Sequence, residues 1–120
     1  MRGFLSVFSF CAIASLPAWA EFKQVIDKQA FLALMEGREL RMGVFQLALK
    51  ITPDGSIKGT ALGWDVTGTW VWEDGFFCRE IDWSGKAIPY NCQLVEASGT
   101  DKIRFTVDKG AGDEATFNLR

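Results

Sequence analysis

From Val44 onward the chain alternates. Phe45, Leu47, Leu49 and Ile51 stand between Gln46, Ala48 and Lys50, a period of two that predicts a strand with one face turned to a core. Thr52-Pro53-Asp54-Gly55-Ser56 then reads as a type I turn with glycine at the left-handed position. That turn sets Thr52 opposite Ser56, Ile51 opposite Ile57 and Leu47 opposite Ala61, a consistent apolar face. Gly59 and Gly63 interrupt the returning strand, as where a sheet bends or a bulky residue crosses over. Asp74-Gly75 is a two-residue hairpin signal between strands over 67–73 and 76–83. Further strands are expected over 88–96, 102–107 and 115–119, the last two joined by the glycine-rich segment 108–113. About seven strands at short spacing predict a mainly β fold, an antiparallel meander closed into a small barrel or curved sheet.

Ahead of this alternation the period is helical. Asp27 is a good N-cap, Ile26 and Phe31 stand at N′ and N4 of a hydrophobic staple, and Gly37 is placed at C′. Phe31, Leu34 and Met35 share one face, so a single N-terminal helix is expected to pack on the sheet.

The first twenty residues follow another logic. Arg2 precedes an apolar run from Gly3 to Leu16, then Pro17 and the small-x-small triplet Ala18-Trp19-Ala20, which together predict a secretory signal peptide over 1–20, cut before Glu21. Residues 21–120 are then one β-rich domain, expected in the periplasm or outside the cell and free of membrane contact after cleavage. Without Arg2 the 13 basic residues become 12 against 15 acidic ones, a charge of about −3, which offers no basic platform for a nucleic acid. A hydrophobic share of 48% argues against a disordered chain.

Export also interprets the cysteines. Cys11 falls in the leader, leaving Cys78 and Cys92, and an even count in an oxidising compartment predicts a disulfide. A hairpin around Ser84-Gly85-Lys86 that sets 83 opposite 87 and 81 opposite 89 also sets 78 opposite 92. Opposed residues of antiparallel strands have Cβ atoms about 4.5–5.5 Å apart, near what a bridge requires. The bridge would close a loop of about 15 residues, a contribution of roughly 3 kcal/mol from chain entropy. No Cys-x-x-Cys spacing suggests redox catalysis.

The same register assigns faces. Trp72 opposes Phe77, Trp70 opposes Arg79, and Asn91 opposes Arg79 from the other side, so one face carries Trp70, Trp72, Phe77, Arg79, Ile81, Trp83, Asn91, Gln93 and Val95. The other, with Thr67, Thr69, Val71, Glu73, Cys78, Glu80, Asp82, Tyr90, Cys92 and Leu94, is more acidic and expected to be wetter. A guanidinium among tryptophans has two readings. Arg79 anchors the core by stacking on Trp70 and donating to Asn91, or by reaching Asp65 or Glu39; or it is the polar point of an aromatic-lined ligand pocket formed with Trp70, Trp72, Trp83 and Asn91.

Other chemistry is sparse. Glu80 and Asp82 share a strand face but read as a solvated acidic surface. Asp108, Asp113 and Glu114 near Gly110 and Gly112 match no EF-hand spacing, and no metal site is assigned. The absence of histidine disfavours the usual zinc, haem and Ser-His sites. Residues 110–115 fit Gly-x-Gly-x-x-Ala but leave no room for a βαβ unit, so no nucleotide or other cofactor is expected.

The segments 52–57, 68–79, Tyr90-Asn91-Cys92-Gln93 and Arg104-Phe105-Thr106 resemble a family of short exported alphaproteobacterial proteins. Its members are often labelled dihydrodipicolinate reductase. The resemblance implies export and that label, with no activity that transfers. The reductases of lysine biosynthesis carry an N-terminal glycine fingerprint and catalytic histidines; here the leader occupies that position and no histidine is present. Two functions are therefore expected: a non-catalytic binding module for a small anionic or apolar molecule or an extracytoplasmic protein, or an inhibitor of an extracytoplasmic enzyme that presents Ser84, Gly85 and Lys86 as its partner loop. An interior pocket would favour the first, a filled core with a protruding loop the second.

Overall fold

Leu40 pairs with Leu49 on one side and with Leu119 on the other, and this double pairing closes the sheet on itself. The structure is a computed structural model and describes residues 21–120; the expected signal peptide, with Cys11, lies outside the described residues. In order, the elements are β1 (Lys23–Gln24), α1 (Lys28–Met35), β2 (Leu40–Met42), β3 (Leu47–Ile51), β4 (Ser56–Ala61), β5 (Trp64–Glu73), β6 (Phe76–Trp83), β7 (Lys86–Ser98), β8 (Lys102–Thr106) and β9 (Glu114–Leu119). Short 3-10 turns occupy Gly43–Phe45 and Asp108–Gly110. Strands β2 to β9 form an antiparallel eight-stranded barrel in sequence order, with β9 paired back to β2. β1 adds to β7 through Lys23 opposite Ala97 and Gln24 opposite Glu96. Full closure removes the free edges that a small open sheet would expose.

Antiparallel order sends alternate turns to opposite ends. Thr52–Ser56, Asp74–Gly75 and the turn at 99–101 lie at one end with α1; Gly43–Gln46, Leu62–Gly63, Ser84–Gly85 and the segment 107–113 lie at the other. Helix α1 plugs the first end. Phe31 is wholly buried, with its ring 5.1 Å from Trp72, 5.2 Å from Phe77 and 5.5 Å from Trp70, a cluster worth more than its burial alone. Asp27 has the extended backbone of an N-cap, although its side chain caps nothing, and Gly37 follows the helix at φ 69°. The expected staple does not form. Ile26 is 62% exposed, because Phe31 turns into the ring cluster instead.

Most of the meander appears where the period predicts it, including Ile51 opposite Ile57. Gly59 lies in β4 because a Cβ there would stand 1.9 Å from the Ala48 carbonyl oxygen. Three local expectations change. The strand does not begin at Val44: Gly43–Phe45 forms a 3-10 turn closed by left-handed Gln46 (φ 47°), and only Leu47–Ile51 is extended. β1 and β2 add two strands too short to show a period. The β6–β7 turn is Ser84-Gly85 alone, with Lys86 already paired to Trp83. Asp82 therefore opposes Ala87, and Ile81 opposes Ile88 instead of the expected Pro89. A bulge between Arg79 and Ile81 then restores the offset, so that Cys78 still opposes Cys92.

Candidate functional site

Alternation along the strands decides what faces inward. Val66, Trp70, Phe77, Gln93 and Val95 are buried, whereas Thr67, Thr69, Val71, Glu73, Glu80 and Asp82 are exposed on the outer face. The Cys78–Cys92 disulfide lies on the outer face, with Cα atoms 3.9 Å apart and Cys78 fully buried. Tyr90 extends over it, its Oη 3.6 Å from Cys92 Sγ and 3.4 Å from Glu73 Oε2. Partial desolvation, and then the Glu73 charge, raise the phenol's pKa above its ordinary value.

The end opposite α1 opens into a cavity of about 290 Å³. Its apolar wall includes Leu47, Leu49, Ile57, Ile81, Phe105 and Phe117; its polar groups are Arg79, Gln93, Asp113 and Glu114. The Arg79 guanidinium donates one hydrogen bond, from Nη1 to Pro89 O at 2.8 Å, and forms no ion pair among the described residues. Burial pushes its pKa down from the usual guanidinium value, yet an arginine stays protonated at neutral pH. Gln93 is 6% exposed and lines the same cavity.

The expected neighbours of Arg79 go elsewhere. Trp70 donates from Nε1 to Thr52 O at 2.9 Å, Trp72 to Ile26 O at 2.9 Å and Trp83 to Ala61 O at 3.1 Å. These bonds satisfy the indoles and fix them as struts between strands. None of the three, nor Asn91, lines the cavity. Asn91 instead donates to Asp108 Oδ1 at 2.8 Å and accepts from Asp108 N at 3.0 Å. The carboxylates expected as partners are also occupied or distant: Glu39 pairs with Arg41 at 2.8 Å, and Asp65 is exposed while its backbone oxygen accepts from Ser84. Of the five residues assigned to a pocket from sequence, Arg79 alone borders it.

Two further segments lie at this end of the barrel. Ser84 and Gly85 form a tight turn at φ 48° and 98°, braced by Ser84 N and Oγ donating to Asp65 O at 3.0 and 2.9 Å. In the 107–113 segment, Asp108 and Lys109 both adopt left-handed conformations (φ 55° and 56°), held by the Asn91 clamp and by Val107 N donating to Asp113 O at 3.0 Å. Asp108 is thereby tied to Asn91, and Glu114 lies 3.6 Å from Arg104. Glu73, Cys78 and Cys92 group within 4.8 Å, but a disulfide presents no thiolate to a metal.

A groove of about 460 Å³ beside α1 is larger, but Gln29, Glu36, Arg38 and Lys50 make its walls polar. Sequence reading missed Gln93 as a site residue and missed the β2, β3 and β9 wall. The alternation of Leu47, Leu49 and Ile51 placed them in a core without showing that the core stops short of the mouth. No helix of the described residues is long and apolar enough to cross a membrane. Comparison with protein-family models, characterised proteins and solved structures finds no match.

Proposed function

We propose that the barrel is an exported binding module for a small amphiphile with an anionic head. The apolar body fills the cavity of about 290 Å³ and the head meets Arg79 and the Gln93 amide. One observation carries this reading: a partly buried guanidinium that forms no ion pair among the described residues lines a cavity whose walls are mostly apolar and which Asp113 and Glu114 border. A half-buried guanidinium that makes one hydrogen bond to a backbone oxygen keeps further N–H donors for an anion supplied from outside. The volume sits at the lower end of the usual ~300–1,000 Å³, which suits a medium-chain carboxylate. Export is supported by the leader pattern and by a disulfide, a bond that persists in oxidising compartments. The tight Ser84-Gly85 turn, with Lys86 held in the ladder, offers little of the protruding loop an enzyme inhibitor would use.

Calorimetric titration with octanoate and octanol, beside native mass spectrometry of the purified protein, tests the reading. Octanoate is expected to bind and octanol to bind more weakly. Absence of binding by both, with no retained small molecule, would remove the proposal.

A further inference from the structure

We infer that the open end of the barrel docks on a zwitterionic lipid bilayer through Val44, Phe45, Leu62 and Trp64. These residues are 76%, 48%, 47% and 64% exposed; Val44 and Phe45 lie in the 43–46 turn, Leu62 in the next turn at the same end of the barrel, and Trp64 opens β5 directly after it. The turns are joined directly: Leu62 N donates to Phe45 O at 2.8 Å. Residues 42–49 and 59–64 contain no charged side chain. Apolar side chains brought together in this way, beside the mouth of a cavity, mark an interaction surface rather than scattered exposure.

Leu62 carries a second, independent signal. It occupies a left-handed position (φ 53°) ahead of Gly63 (φ 80°) in a two-residue turn that favours Asn, Asp or Gly. The corresponding positions of the other two such turns hold Asp74 and Ser84. A leucine there accepts backbone strain and exposure together, a combination that points to function when observed at a turn tip.

Size selects the occupant. A stable protein interface takes about 800 Å² and some 20–30 residues from each partner, far more than four side chains on two turn tips supply. Insertion into a bilayer asks only that apolar groups pass about 5–10 Å into the headgroup boundary, where tryptophan is favoured. The charge of residues 21–120, 12 basic against 15 acidic, provides no attraction to anionic lipid, which favours a zwitterionic surface. The alternation of the sequence does not reveal this patch, because Val44-Phe45 and Leu62–Trp64 meet only in the fold. The inference rests on the rim and stands apart from the cavity reading.

The test uses residues 21–120, which contain the closed barrel and its buried apolar core. Sedimentation with phosphatidylcholine vesicles is expected to carry the protein down, with little change on adding phosphatidylglycerol or salt. Vesicles of brominated phosphatidylcholine are expected to quench tryptophan emission, and Trp64→Phe to remove most of that quenching while sedimentation persists. Leu62→Asn is expected to raise the melting temperature, by relieving the turn, and to weaken vesicle binding several-fold. Combining Val44→Ser, Phe45→Ser, Leu62→Ser and Trp64→Ser is expected to abolish binding with octanoate affinity unchanged. Arg79→Met, in contrast, is expected to leave vesicle binding intact. No vesicle binding by the unaltered protein, equal binding by the serine variant, or a dimer that the serine changes dissolve would each overturn the inference, the last by making a second copy the occupant.

Discussion

Arg79 and Asn91 are opposed in the β6–β7 ladder, yet their side chains part: Arg79 donates to Pro89 O at 2.8 Å, while Asn91 reaches Asp108 in the mouth segment. One pair of neighbours thus serves two tasks. Asn91 ties the rim to the wall, and Arg79 is left as a cation lining a mostly apolar cavity that Asp113 and Glu114 also border.

Replacement of Arg79 by Met is expected to lower octanoate affinity roughly 10- to 100-fold, the loss typical of a hydrogen bond to a charged group. Octanol binding and the melting temperature should change little, since an apolar side chain of similar length can fill the site. Calorimetry and a thermal melt read the two effects separately. A large fall in stability with unaltered selectivity would make Arg79 an anchor of the core.

Asn91→Ala removes both bonds to Asp108, which hold a segment with two left-handed non-glycine residues. A stability loss of about 1–2 kcal/mol is expected. Hydrogen exchange should quicken at the amides of Gly110, Ala111 and Gly112, which close the segment's own turns. Unchanged exchange there would show that the segment holds itself.

The Cys78–Cys92 bridge joins adjacent strands whose pairing continues on both sides of it. Substituting both cysteines by Ala is expected to cost roughly 3 kcal/mol in denaturant unfolding, mostly through the freer unfolded chain. The barrel should still close, with its circular dichroism preserved. With Cys78 fully buried, reduction of the folded protein is expected to be much slower than reduction in denaturant.

Asp54 gives a pH-dependent prediction. Its carboxylate accepts hydrogen bonds from Thr52 Oγ1 and from Ser56 N, the latter at 3.0 Å. The Thr52 hydroxyl first, and then Ser56, hold its pKa below the ordinary 3.8. The stabilisation is therefore complete above that value and is lost as pH falls through the lower, folded-state pKa. Asp54→Ala should lower the melting temperature at neutral pH, and the difference should shrink toward zero well below pH 3.8. A difference independent of pH would mean that the charge contributes nothing.

Much of the barrel was legible because hairpins are local. The turn chemistry of 52–56 and Asp74-Gly75 set their registers, which placed Trp70 opposite Arg79 and Trp72 opposite Phe77. The cysteine pairing was legible for a less secure reason. The turn was read one residue too long, and the bulge between Arg79 and Ile81 compensated for that error. The cavity lining is less legible, because residues that share a face need not line the same cavity. Trp70, Trp72 and Trp83 do face inward with Arg79, but their indole nitrogens are drawn to the backbone oxygens of Thr52, Ile26 and Ala61. Those acceptors lie 18, 46 and 22 residues away in the chain, beyond any period or turn rule.

Sequence alone therefore determined the class of fold, the order of the hairpins, the inward and outward faces and the disulfide, all consequences of a two-residue period and of turns that join neighbouring segments. Closure of β2 on β9, the plugging of one end by Phe31, the open cavity at the other and the meeting of Phe45 with Leu62 were decided by tertiary structure. Each depends on segments brought together by curvature and packing around the whole barrel, and a local pattern carries no information about how much of the enclosed space its side chains will fill.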